Sequence, residues 1–152
     1  MKIFNRFKIP HHYSNSIILI GNFDGVHLGH QKLFEKAREY KKKYKLKIGV
    51  ITFNPMPKMY FNKNLKNFKL MNFSQKIEQF QKQNVDFLIN QKFSKNFSKI
   101  KAQIFIKNYL NKKIKTKFLF VSNNFRFGNK REGDINMLKS YEKLYNYKLI
   151  IP

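Results

Sequence analysis

Hydrophobic and polar positions alternate in blocks along this 152-residue chain, and the blocks predict strands and helices in turn. Residues 17–20 (IILI) form a short apolar run between Ser16 and Gly21, which is typical of a buried strand. Residues 29–43 follow with apolar side chains at helical spacing and charged side chains between them, which predicts an amphipathic helix. The first predicted unit is therefore a strand, a loop and a helix.

The same alternation continues to the end of the sequence. Further strands are predicted at residues 47–53, 86–89, 118–121 and 148–151, and further helices at residues 74–83, 100–110 and 135–145. Ser74 is expected to cap the second helix, the two prolines of residues 54–57 argue against a helix there, and residues 58–73 are predicted to be a loop. Strands that alternate with helices predict one α/β domain with a mainly parallel, five-stranded sheet and helices on both faces.

Three predicted loops follow strands of this sheet, at residues 21–30, 54–61 and 122–134. In a parallel sheet flanked by helices, ligands bind beyond the carboxyl ends of the strands. We therefore expect the functional residues to lie on these three loops.

The first of these loops, GNFDGVHLGH, holds two of the four histidines of the chain. His27 and His30 are predicted to lie around the first turn of the helix, where free backbone N–H groups and the positive end of the helix dipole favour an anion. Gly29 leaves room for a nucleotide to approach the backbone, and Gly21 and Gly25 permit tight turns. Two imidazoles on one face can flank a phosphate and stabilise the charge that develops during phosphoryl transfer.

Other interpretations of the histidines stay open at this point. Two histidines at a helix start can simply be solvated. A zinc site is disfavoured because no third ligand cluster is nearby. His11 and His12 form a second pair, which we interpret as exposed and without a catalytic role.

The formal net charge of +24 raises the question of nucleic-acid binding. The cations are 28 lysines and only 4 arginines, whereas base reading and bidentate phosphate binding favour arginine. Lys, Asn, Ile, Phe and Tyr all have A/T-rich codons and are all abundant, so we interpret the charge as a compositional bias. We expect non-specific attraction of polyanions, ATP among them, and no specific nucleic-acid partner.

Cysteine is absent, which excludes disulfides and thiol chemistry. The N-terminal residues lack the apolar stretch of a signal peptide, and no apolar run approaches the roughly 20 residues that span a bilayer. We therefore expect a cytoplasmic protein without a membrane partner, and the sequence predicts no particular oligomeric state.

Three motifs occupy the three predicted loops in a specific order. They are IGNFDGVHLGHQKL at residues 20–33, TFNPMP at residues 52–57 and VSNNFRFGNKREGD at residues 121–134. In these motifs the sequence resembles the adenylyltransferase module of the prokaryotic FAD synthetase family, the bifunctional riboflavin kinase/FMN adenylyltransferases, which are H-x-G-H nucleotidyltransferases. The resemblance covers nearly the whole chain and implies a Rossmann-like nucleotidyltransferase fold.

The resemblance implies that AMP is transferred from ATP to FMN, giving FAD and pyrophosphate, with Mg²⁺ as cofactor. It assigns His27 and His30 to the ATP phosphates and to stabilisation of the transition state. The other residues that it places at the ATP are Gly21, Asn22, Phe23, Asp24, Gly29 and Asn124. The residues that it gives as walls for the adenine or flavin ring are Pro55, Pro57, Phe61 and Phe127. Phe61 and Phe127 are equally typical of an ordinary core.

The sequence departs from the family pattern in two ways. Ser122 stands where the family has a glycine, and a serine disfavours a positive φ at that position. The family's module continues with a Ser-Ser-Thr-x-x-Arg motif and then a riboflavin kinase module, neither of which is present up to Pro152. We therefore expect residues 1–152 to form an adenylyltransferase domain that is cut short at its C-terminal end and lacks the kinase domain. Its turnover should be slow unless Lys130 or Arg131 replaces the missing phosphate donors in part.

Two alternative functions stay open. One is a different H-x-G-H enzyme, such as a cytidylyltransferase or a pantetheine-phosphate adenylyltransferase, and the two later motifs argue against it. The other is a basic nucleotide- or nucleic-acid-binding protein without catalysis.

Overall fold

The computed structural model of the chain describes residues 1–24, 28–62 and 71–152, and for residues 28 and 29 the backbone alone. Its sheet contains six strands, all paired in parallel in the order β1-β4-β3-β2-β5-β6. The strands are β1 (Lys2–Phe4), β2 (Ile17–Ile20), β3 (Ile48–Asn54), β4 (Phe87–Lys92), β5 (Phe118–Phe120) and β6 (Lys148–Ile150). Parallel pairing throughout places the carboxyl ends of all these strands at the same edge.

Helices connect the strands and cover both faces of the sheet. They are α1 (Leu28–Tyr44), α2 (Pro57–Phe61), α3 (Phe73–Lys82), α4 (Lys95–Ser98), α5 (Ala102–Ile104), α6 (Ile135–Ser140) and α7 (Glu142–Tyr145). The backbone continues from α5 as a π-helical segment over Phe105–Lys113, and single 3₁₀ turns occur at His11–Tyr13 and Asn129–Arg131. Both residues of the His11–His12 pair are exposed, as expected.

The five predicted strands are confirmed, but the predicted number of strands is wrong because β1 was not anticipated. This strand is only three residues long and pairs with β4 at the edge of the sheet. Its side chains are exposed or half-buried, so it carries no continuous apolar run that a sequence pattern would reveal.

Several predicted helix boundaries also change. Asn72, rather than Ser74, caps α3, because its side chain accepts a hydrogen bond from the Gln75 backbone while the Gln75 side chain accepts one from the Asn72 backbone. Residues 57–61, predicted as non-helical, form the short α2, since Pro57 occupies a first-turn position where no N–H is needed. The helix predicted at residues 135–145 is divided into α6 and α7 at Tyr141.

The apolar core consists of two layers, one on each face of the sheet, and β2 supplies both. Ile17 and Leu19 pack in the layer beneath α1 and α3, whereas Ile18 and Ile20 pack in the layer beneath the π-helical segment and α6. All four side chains of β2 are buried. This two-sided burial explains why the sequence of β2 is continuously apolar rather than alternating.

Strand order reverses on the two sides of β2. The chain proceeds from β2 to β3 and β4 on one side, and β5 and β6 lie on the other side. In open α/β sheets, the crevice at such a reversal, beyond the carboxyl ends of the strands, is where ligands bind. The strand order therefore indicates a ligand-binding crevice between the loops that follow β2 and β5.

We expect Gly49→Ala to destabilise the fold. Gly49 of β3 pairs with Phe87 of β4, and a Cβ atom added at Gly49 would come 2.2 Å from the Phe87 ring. Overpacking of this kind costs about 1–3 kcal/mol in the free energy of unfolding, which urea denaturation measures. Phe87→Leu should make the same Gly49→Ala change less costly in a double-mutant cycle, and strict additivity of the two substitutions would contradict the proposed clash.

Candidate functional site

The loop after β2 leaves the sheet in a conformation set by Gly21 and Phe23. The Gly21 N–H continues the β-ladder by donating to the Ile51 carbonyl at 3.1 Å. Phe23 then takes a left-handed backbone conformation with φ of 52° and turns its ring into the core, where it is 5% exposed. A Cβ atom at Gly21 would lie 3.0 Å from that ring, so the glycine leaves space for Phe23.

The Phe23 ring positions the histidine of the first helical turn. Its centroid lies 5.1 Å from the His30 ring in an edge-to-face arrangement with an interplanar angle of 74°. Phe34 and Phe80 pack against Phe23 at 5.1 and 6.0 Å, so the ring that contacts His30 is itself fixed by the core. Phe23, predicted to shape the nucleotide pocket, therefore lies behind His30 as part of the core.

Two of the predicted residues lie outside the described part of this loop. These are His27 and Gly25, and the pairing of His27 with His30 therefore stays a prediction. Gly29 lies in the first turn of α1, as expected for a residue beside a helix N-terminus.

Polar side chains flank the turn at Phe23. The side-chain oxygen of Asn22 is buried and has no hydrogen-bond partner within the described residues. The Asp24 carboxylate accepts a hydrogen bond from the Met71 backbone at 2.9 Å, which ties this loop to the residues that precede α3. Asn22 thus has an unpaired buried acceptor within the described residues, while Asp24 links two segments of the chain.

The loop after β5 is closed on itself and packs against α5. Phe127 and Gly133 form an antiparallel bridge, with N–H to carbonyl distances of 3.2 and 2.8 Å. Gly128 has a positive φ of 80°, and a Cβ atom there would come 2.7 Å from Ala102, so only glycine fits. Ser122, which replaces a glycine of the family motif, is not among the residues with positive φ, so the serine is compatible with its backbone.

The predicted binding residues of this loop have different environments. Asn124 is exposed, and its side-chain oxygen accepts a hydrogen bond from the Ser122 hydroxyl at 2.9 Å. Phe127 is only 8% exposed and packs against Phe105 and Phe125, with ring centroids 5.8 and 5.5 Å away. Phe127 therefore belongs to the core, and Phe125 presents the more accessible ring.

The loop after β3 carries the remaining predicted residues and leads to a group of aromatic rings. Pro55 and Pro57 are half-buried, and Phe61 at the end of α2 is 64% exposed. Neighbouring ring centroids in this group are 5.2–5.9 Å apart. We call this group the aromatic shelf, and it consists of Phe53, Tyr60, Phe61, Phe93 and Phe97. Sequence analysis missed all of these except Phe61, although Phe93 follows β4 directly, which is a recognisable signal.

The shelf and the two other loops all lie at the edge formed by the carboxyl ends of the strands. The loop with His30 follows β2, the loop with Asn124 follows the adjacent β5, and the aromatic shelf lies beyond β3 and β4. Tyr147, whose pKa is raised by burial, immediately precedes β6 at the opposite edge, and its hydroxyl donates to the Leu138 carbonyl. It is a core residue and not a site residue.

Two negative findings apply to the described parts of the chain. No group of three or more histidine or acidic side chains is arranged to hold a metal ion. No helix there is both long enough and apolar enough to cross a membrane.

Comparison with known proteins bears on this arrangement. A family model described as FAD synthetase matches residues 9–151, which is nearly the whole chain. The chain belongs to the FAD synthetase family. A bifunctional riboflavin kinase/FMN adenylyltransferase from Buchnera aphidicola subsp. Acyrthosiphon pisum is 42% identical over 137 residues, covering 90% of this chain and 44% of the relative. The Escherichia coli K12 protein of the same name is 34% identical over 133 residues, covering 88% and 42% respectively. The chain thus spans less than half the length of these FAD synthetase relatives.

Solved structures support the same fold. A Streptococcus pneumoniae crystal structure described as a macrolide-efflux protein aligns with 99% of this chain and 48% of its own, with a TM-score of 0.83 and 28% identity. A pantoate–β-alanine ligase from Francisella tularensis aligns with 100% of this chain and 66% of its own, with a TM-score of 0.58 and 15% identity, which bears on the fold alone. The predicted Rossmann-like α/β class is confirmed.

We expect Asp24→Ala to loosen the link between the β2 loop and the segment before α3. Losing a hydrogen bond to a charged acceptor costs about 1–3 kcal/mol in unfolding free energy, and the Met71 amide should exchange with deuterium faster. Glu39→Ala removes an equal charge from an exposed pair with Lys36 and should change stability by at most about 0.5 kcal/mol. Equal effects of the two substitutions would contradict the linking role.

Proposed function

We propose that this chain is the FMN adenylyltransferase module of its family, which transfers AMP from ATP to FMN and releases pyrophosphate. The observation that carries the proposal is the position of His30 in the first turn of α1, at the crevice beside β2 and β5, with its ring packed against a core phenylalanine. Membership of the FAD synthetase family supports the choice of substrates. The name of the curated relatives supplies both the reaction and the flavin.

In the proposed reaction, a phosphate oxygen of FMN attacks the α-phosphorus of ATP. The new P–O bond forms as the bond between the α- and β-phosphates breaks, and pyrophosphate leaves. The phosphates would lie against the start of α1, where backbone N–H groups and the helix dipole favour negative charge. Imidazole N–H groups of His30 and His27 would donate to phosphate oxygens as charge builds up in the transition state.

Other residues would orient the substrates. We assign Gly21, Asn22 and Gly29 to the ATP, with the buried Asn22 oxygen as an acceptor for a hydroxyl or amino group. Asn124 would contact ATP or the phosphate of FMN from the neighbouring loop. Phe23 and Asp24 would act indirectly, because the first supports His30 and the second holds Met71.

The aromatic shelf is the proposed platform for the isoalloxazine ring of FMN. A flat apolar ring gains most from aromatic and proline surfaces, and Phe61 offers the most exposed ring of the shelf beside Pro55 and Pro57. Phe127 would contribute from the core by supporting the stacked ring of Phe125. Mg²⁺ would enter with the ATP phosphates, as it commonly does at nucleotide sites, and the reaction would take place in the cytoplasm.

We expect His30→Ala to lower the rate of FAD formation by about 10²–10³-fold, because one donor to the transition state is lost. A pyrophosphate-release assay with ATP, Mg²⁺ and FMN measures this rate. His12→Ala removes an exposed histidine outside the site and is the matched control, for which the rate should not change. A His30→Ala protein that is folded and as active as the parent would refute the catalytic assignment.

We expect Phe61→Ala to weaken FMN binding by about 10-fold, because the shelf loses its most exposed ring. Stacking on an aromatic ring is worth about 1–3 kcal/mol. Quenching of FMN fluorescence measures the dissociation constant. Phe61 is 64% exposed, so its loss should leave the melting temperature nearly unchanged. Leu144→Ala removes a side chain that is 68% exposed on α7, and it should alter neither quantity. Identical FMN titrations for both variants would count against the shelf.

A further inference from the structure

Two adjacent cations in the loop after β5 have an unusual backbone conformation. Lys130 and Arg131 both lie in the left-handed region, with φ of 52° and 55°, and both side chains are exposed. Residues other than glycine rarely adopt this conformation, because it is strained, and such strain is concentrated at functional sites. Single left-handed residues such as Lys45 and Asn146 are explained by the helix ends that they follow, but a consecutive pair is not.

The rest of the loop holds this pair in place. The Asn129 N–H donates to the Ile100 carbonyl at 2.8 Å, and the Glu132 carboxylate accepts from the Ala102 N–H at 2.9 Å. The bridge between Phe127 and Gly133 closes the loop. A conformation that neighbours fix at several points can keep strained residues at its tip.

The acidic residues beside the pair are engaged elsewhere. Glu132 bonds to the Ala102 backbone, and the Asp134 carboxylate caps α6 by accepting from the Met137 N–H at 2.9 Å. Among the described residues, neither the Lys130 nor the Arg131 side chain has a hydrogen bond or ion pair. Two positive charges are therefore presented to solvent without compensation, although carboxylates are adjacent in sequence.

We propose that Arg131, assisted by Lys130, binds the phosphate groups of the substrates. This inference rests on the proposed function, since it assigns a second set of donors to the same substrates. β5 is the direct neighbour of β2 in the sheet. His30 lies in the first turn of α1, which packs on the face of Ile17 and Leu19, whereas the Arg131 loop packs on α5, on the opposite face. Phosphates at the crevice would thus be contacted from both sides.

The chemistry of the two side chains favours this role. A guanidinium group presents a planar set of N–H donors that matches two oxygens of one phosphate, and lysine adds a point charge. Arg131 is a binding and positioning residue in this proposal, because the bond-making step needs no proton from it.

The decisive experiment compares Arg131→Asn with Lys45→Asn. Asparagine tolerates the left-handed conformation, so the first change removes the cation and keeps the backbone. Lys45 is also exposed and left-handed, with φ of 55°, but it lies between the end of α1 and the start of β3, at the opposite edge of the sheet, so the second change controls for the loss of one charge. We expect Arg131→Asn to weaken ATP and FMN binding by about 10–100-fold in titration calorimetry. Lys45→Asn should change both dissociation constants less than twofold.

Riboflavin distinguishes phosphate recognition from a general disturbance of the site. It has the ring of FMN without the phosphate, so Arg131→Asn should leave riboflavin binding unchanged. The proposal would be overturned if Arg131→Asn weakened the binding of riboflavin as much as that of FMN. It would also be overturned if the unaltered protein bound ATP and FMN and Arg131→Asn bound both equally well. If the unaltered protein bound neither ATP nor FMN, the proposed function itself would fail.

Arg131→Gly tests the strain separately. Glycine relieves the positive φ, so the melting temperature should stay the same or rise by about 2 °C while ATP and FMN binding weaken as in Arg131→Asn. A lower melting temperature with unchanged binding would show that Arg131 serves the fold, and it would overturn the proposal.

Discussion

The central constraint of the structure is the parallel pairing of β2 with β3 on one edge and β5 on the other. Every backbone group along Ile17–Leu19 faces a partner strand, and the side chains are buried on both faces. A strand in this position cannot shift without breaking two ladders and two core layers, because a one-residue slip would exchange the faces of all its side chains. The end point of β2 is therefore fixed, and so is the start of the loop that carries His30.

Packing of aromatic rings builds the site on that fixed point. Phe23 has a left-handed backbone conformation, fills the core beside Phe34 and Phe80, and contacts the His30 ring edge-to-face. A contact of this kind between aromatic rings orients the imidazole. The same layer of the core thus stabilises the fold and positions the residue proposed to act on the phosphates.

The opposite layer serves the second side of the crevice. Gly128 fits against Ala102 with no room for a side chain, and Phe127 is buried beneath the loop. These contacts fix the loop after β5 against α5, so its exposed residues have a defined position. The aromatic shelf adds a flat apolar surface beyond β3 and β4 at the same edge. The regions proposed to bind the phosphates and the flavin ring therefore lie at different places along one edge of one sheet.

The sequence alone determined the α/β class, five of the six strands and the three loops, because burial on both faces leaves continuous apolar runs and because loop motifs are local in the chain. It predicted roles for His30, Phe61 and Asn124 but not their environments, and these roles and the pairing of His27 with His30 stay predictions. Only the tertiary structure revealed that Phe23 and Phe127 are core residues, that Phe93 joins Phe61, and that β1 completes the sheet. These features depend on contacts between residues distant in the chain, and a local pattern of apolar and polar positions does not record which of its apolar side chains will meet.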